Sequence, residues 1–290
     1  MSSLAALVRE ELLTSIDPRV AVMAETIAAR HGKASRAVLF YGSCLREEQL
    51  DGLMLDFYLI VSSYRAAYES RWLAVANRLI PPNVFPFAHN GLSAKYAVLS
   101  EADFHRLNGL ETRSVSVWAR FAQPARLAWS ADVAAQGRAV LAVARAAPTL
   151  LSAAMTEVPD AKPGLDLWRA AFALTYSAEL RAERKARSQS VVDADPERYC
   201  RFTAPALAAA QAEGRRSQVS WRRRRIEGKA WSVIRLAKAS ATFAGGVDYI
   251  VWKVNRHAGT DIQVKGWQRR HPLLAAITLV PRLLRSKAIR

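Results

Sequence analysis

The sequence predicts an α+β fold, with helices interleaved with a mixed sheet in the N-terminal half and a mostly helical C-terminal half. Three observations carry this expectation. Compact apolar runs of strand length occur at 37–41, 53–61 and 95–100, and such runs become rare afterwards. Helix-spaced apolar residues separate these runs. Beyond Val117, alanine-rich, arginine-studded periodic stretches dominate at 131–156, 164–187 and 203–213. The boundary is expected near residue 130, which gives units 1–130 and 131–290.

The elements follow in order. Leu4, Leu7, Val8 and Leu12, then Val20, Met23 and Ile27, recur at helical spacing over 3–31, with a break at Asp17-Pro18. Residues 37–41 form a buried strand ended by Gly42-Ser43. The polar stretch 45–50 suits one or two helical turns. Residues 53–61 form a second apolar strand, interrupted only by Asp56. A helix is expected over 64–79, with Tyr68, Trp72, Val75 and Leu79 on one side, and Pro81-Pro82 stops it. A further strand spans Lys95–Ser100. Ser100 then caps a helix over 101–110, with Asp103 three residues on. No internal repeat is visible.

Composition restricts partners and compartment. The chain has 290 residues and a formal net charge of +17, which draws it to polyanions: nucleic acid, an anionic membrane surface or a phosphorylated substrate. Its two cysteines, Cys44 and Cys200, support neither a disulfide framework nor a Cys-rich zinc site, and a reducing compartment is expected. Arg9, Glu10 and Glu11 make the first apolar stretch a poor secretory signal. No run is expected to reach the ~18 apolar residues of a spanning helix.

The informative segment is Tyr41-Gly42-Ser43-Cys44 followed by the Leu53–Val61 strand. A glycine lets backbone approach a phosphate chain closely. A helix N-terminus after it would offer N–H groups to phosphate oxygens, and Ser43 would add a hydroxyl. Asp56, an acid inside Leu-Asp-Phe-Tyr-Leu-Ile-Val, is costly to bury unless a metal or strong donors meet it. A strand, Gly-Ser, a short helix and a second strand bearing an acid make up the layout of the nucleotidyltransferase superfamily. Most members carry two acids two residues apart; here Met54 stands at the earlier position. Asp51 sits in the connecting turn. Glu47 and Glu48 read as a solvated helix face, Asp103 as part of a cap, and His89 as an ordinary loop residue.

Tyr-Gly-Ser…Met-Leu-Asp-Phe resembles the mitochondrial-type phosphatidate cytidylyltransferases, the translocator assembly and maintenance family. That family reads Tyr-Gly-Ser-Gly, then Met-(Ile/Leu)-Asp-Phe. Lys95-Tyr96-Ala97-Val98-Leu99-Ser100 is similar to its Lys-Tyr-Gly-Val-(Val/Ile)-Ser, and Trp118 with Arg120–Ala125 echoes a further segment. The correspondence runs over 38–127 and weakly to about 190. Cys44 stands where the family has its second glycine, and 82–86 where it has a glycine-rich segment. The resemblance implies transfer of CMP from CTP to phosphatidate, with Mg²⁺ held by Asp56. It makes Tyr41, Gly42, Ser43 and Cys44 the nucleotide-binding loop and Lys95 the neutraliser of phosphate charge.

The second half is strongly basic. Arg215, Arg216, Arg222–Arg225, Lys229, Arg235 and Lys238 surround Trp221 and Trp231, and an apolar run 273–280 lies between cations. This composition suits the headgroup region of an anionic bilayer. The protein is therefore expected in the cytoplasm, peripherally bound to the inner face of the membrane, with no stable nucleic-acid partner. Two other readings stay open. One is nucleotidyl transfer to RNA, protein or a soluble metabolite; the other is an inactive nucleotidyltransferase fold acting as a scaffold, motivated by Met54.

Overall fold

Side chains alternate across a strand, so the parity of each apolar residue decides which face it covers. The computed structural model describes residues 3–45, 50–179, 191–212, 214, 219–242 and 266. Its five strands are β1 (Ser35–Tyr41), β2 (Met54–Val61), β3 (Asn83–His89), β4 (Leu92–Ser100) and β5 (Ala125–Ser130). They form one mixed sheet in the order β3-β4-β2-β1-β5, in which only β2 and β4 pair in parallel. Val38, Phe40, Leu55, Phe57, Leu59, Tyr96 and Val98 pack on one face. Leu39, Tyr58, Ile60, Ala97 and Leu99 pack on the other. The chain thus has the expected α+β architecture around a mixed sheet.

Helix α1 (Leu4–Leu12) and helix α2 (Pro18–Ala29) divide at the expected place. Asp17 accepts from the Arg19 N–H, and Pro18 fills the first turn, where its missing donor costs nothing. Helix α2 covers the first face with Val20, Met23, Ala24 and Ile27. The stretch 64–79 is two helices, α3 (Tyr64–Ala67) and α4 (Arg71–Leu79). Helices α5 (Glu101–Leu107), α6 (Trp118–Phe121) and α7 (Val133–Ala144) cover the second face, and α8 (Ala146–Met155) and α9 (Leu165–Ala178) pack beyond them. Last among the described helices come α10 (Pro196–Ala212) and α11 (Trp221–Thr242).

Several expectations change on this frame. Trp72, Val75 and Leu79 point to solvent, and the buried residue of α4 is Asn77, which donates to the Val98 carbonyl at 2.9 Å. Strands β3 and β5 lack a long apolar run, and both lie at sheet edges, where Pro86 removes no interior ladder bond. Val133–Met155 is long and apolar enough, at 23 residues, to cross a membrane, contrary to expectation. Most of it is buried in the core, where α7 packs on α1, α5 and the sheet. One apolar cluster runs from Leu4 to Trp221 across residue 130, so the two expected units share a core. The 273–280 run, Glu47, Glu48, Arg215 and Arg216 lie outside the described residues.

Candidate functional site

Asp56 has the parity of Tyr58 and Ile60, so it faces the helical layer rather than α2. Strand pairing sets Tyr41, Asp56 and Lys95 side by side in one row across β1, β2 and β4. Lys95 Nζ lies 3.0 Å from Asp56 Oδ1, and both side chains are about a quarter exposed. Asp56 Oδ1 is itself buried and accepts no aligned hydrogen bond, so the contact with Lys95 is Coulombic. Gly42 ends the row with φ +102°, a region that side chains disfavour. A Cβ there would sit 3.3 Å from Asp56 Oδ2. The dihedral therefore favours glycine, and a side chain there would also crowd the acid.

The row meets cations from the helices. Arg120, on α6, donates to the Ser116 hydroxyl at 2.7 Å and lies 3.8 Å from Glu179 Oε1. Burial is the largest single influence and opposes its charge, but Glu179, Tyr58, Tyr41 and Asp56 together outweigh it, and the guanidinium stays protonated. Burial first, then the Asp56 carboxylate, hold the Tyr41 phenol well above its usual value, and Arg120 works against them. Arg235, on α11, donates to the Pro81 carbonyl and the Ser114 hydroxyl, both at 3.1 Å. Lys238 donates to the carbonyls of Ile80 and of Pro82, the latter at 2.7 Å. Burial and then Arg235 push its ammonium down to about 7.

The other expected residues separate from this row. Ser43–Leu45 is a single 3₁₀ turn, so no α-helix starts directly after Gly42 among the described residues. Cys44 is buried in the α2-side cluster with its Sγ 3.6 Å from the Met54 carbonyl, on the face away from Asp56. In the expected nucleotide-binding loop it is a packed side chain. Asp51 pairs with Arg19 at 3.3 Å on the surface. Asp103 accepts from Tyr64 at 2.6 Å, and His89 stacks on Phe87. Sequence reasoning gave no role to Glu179 or Tyr58 and read Arg235 and Lys238 as surface cations. Nothing in the linear pattern told these buried cations apart from exposed ones such as Arg222 and Arg223.

Among the described residues no group of three or more His, Cys, Asp or Glu comes together. The described residues therefore offer no cation cage of their own. Mg²⁺ commonly binds through one or two carboxylates plus substrate phosphates, and Asp56 beside the Gly42 turn fits that lesser requirement. No protein-family model and no curated protein sequence matches the chain.

Proposed function

We propose that the chain is a nucleotidyltransferase that makes a CDP-lipid from CTP and a phosphatidate-type lipid at a membrane surface. The observation that carries the reading is the contact between Gly42, at φ +102°, and Asp56, with Lys95 in the adjacent register. That contact gives backbone close approach, one acid and one cation in a single row, which is what a triphosphate needs from a protein. The choice of CTP and of phosphatidate rests on the sequence resemblance.

The chemistry asks little of the protein beyond positioning and charge. A phosphomonoester nucleophile is already ionised at neutral pH, so no general base is required. The backbone at Gly42 lets the phosphate chain lie against β1. Asp56 would hold the nucleotide's Mg²⁺, which neutralises charge on the departing pyrophosphate when bound. Lys95, now paired with Asp56, would turn to the phosphates once that cation takes its place. Arg120 and Arg235 give the helical wall a fixed positive charge for the acceptor phosphate.

The test is mass-spectrometric detection of a CDP-lipid from CTP, Mg²⁺ and phosphatidate vesicles. Label transferred instead to RNA or protein would replace the acceptor. A second reading, an inactive scaffold, is favoured by the Lys95–Asp56 pair and by the absence of a second acid at Met54. Failure to bind Mg²⁺–CTP by calorimetry would select it.

A further inference from the structure

Helix α4 is amphipathic in the unexpected sense. At about 100° per residue, Arg71, Trp72, Val75, Arg78 and Leu79 fall within one arc of about 120°, and all five are exposed. Trp72 is 52% exposed, Val75 56% and Leu79 66%. Asn77, on the opposite side, is fully buried and ties the helix to β3 and β4. Leu13, Val22, Val133, Leu141 and Met155 are also exposed but spaced singly, which is ordinary for a soluble surface, and α11 exposes Ile226, Trp231 and Ile234. On α4 three such residues form a continuous stripe, and arginines flank it.

We propose that this face of α4 is a membrane-docking surface that lies in the headgroup region of an anionic bilayer. Trp72, Val75 and Leu79 enter the interface, while Arg71 and Arg78, with Arg65 one turn earlier on α3, meet the lipid phosphates. The nearest acid in sequence is Glu69, in the bend before α4, so cations dominate the rim. The face is a single convex ridge of a nine-residue helix. It presents far less than the ~800 Å² per partner that a stable protein interface buries, whereas a bilayer accepts a ridge. Helix α4 runs directly into Ile80–Pro82, the carbonyls that Arg235 and Lys238 grip. The docking does not rest on the nucleotidyl-transfer reading.

The test is co-sedimentation of the full chain with phosphatidylcholine vesicles containing phosphatidylglycerol. The triple variant Trp72→Ser, Val75→Ser, Leu79→Ser is expected to bind roughly ten-fold or more weakly and to melt as the parent does, since all three side chains are exposed. Val133→Ser, which alters an exposed residue on α7, is the control and should bind as the parent does. Brominated lipid should quench the fluorescence component that Trp72→Phe removes. Unchanged partitioning of the triple variant, or no quenching of that component, overturns the proposal. So does loss of self-association in the variant with vesicle binding intact, which makes the face a protein contact. CTP binding, measured on the same variant, separates the two readings. If CTP never binds but docking depends on α4, the catalytic reading fails and the docking surface stands.

Discussion

The two faces of the sheet differ in kind. The face under α2 is dry: Phe40, Leu55, Phe57, Leu59 and Val98 fill it, and even Cys44 serves there as a small apolar group. The face under the helical layer carries the same strands' alternate residues and holds Asp56, Lys95, Tyr41, Arg120 and Glu179 at one end. A residue step of one separates Leu55 and Phe57 from Asp56, and that step decides between core and chemistry. The comparison teaches that one face of the sheet gathers ionisable groups at one end, while the other face remains to carry stability.

The largest expected effect separates the faces by activity. Asp56→Asn keeps shape and removes charge, and it should lower nucleotidyl transfer by several orders of magnitude with little change in melting. Near-parental turnover in a folded variant would show that the polar end is not the site. On the dry face, Phe57→Ala should cost about 3–5 kcal/mol of stability, read by chemical denaturation. A loss well under 1 kcal/mol would mean that this face is not the foundation we describe.

Smaller effects sharpen the picture at the polar end. Glu179→Gln strips Arg120 of its carboxylate neighbour and should cost about 1–3 kcal/mol. The same variant should leave the melting of the dry face's Cys44→Ala variant additively displaced, which a double-mutant cycle measures. The weakest effect is in pH dependence. Lys238 has a folded value lowered to about 7 from the ordinary lysine value of 10.5. Between those values the unfolded chain binds more protons, so stability should rise with pH across that window. Lys238→Met should flatten the rise between pH 7 and 10, and an unaltered slope would assign it to other groups.

Much of the fold was legible because its signals are local. Asp17-Pro18 starts α2, Ser100 caps α5, and the apolar runs of β1, β2 and β4 fill interior strands. Edge strands gave weaker signals, since one side of each lacks a partner and tolerates Pro86 or Arg126. The stripe on α4 had helical spacing but the wrong destination, because periodicity reports a common side without saying whether core lies against it. At the site, Gly42 and Asp56 were legible from composition and order. Glu179 and Arg235 were not, because each reaches the row only through helix packing more than a hundred residues later in the chain.

The pairing of α1 with α10 has a consequence in time. Glu11 accepts from Arg198 at 3.0 Å, and Glu10 from Arg201 at 3.1 Å, across sequence separations of 187 and 191 residues. At a synthesis rate of about 5–20 residues per second, Glu10 and Glu11 wait roughly 10–40 s for these partners. During that interval the first helix can pack against β5 and α7, which it also contacts, but its ion pairs to α10 are missing. The completed sheet can form earlier, but the opening helix is clasped by α10 only after nearly 200 residues have been made.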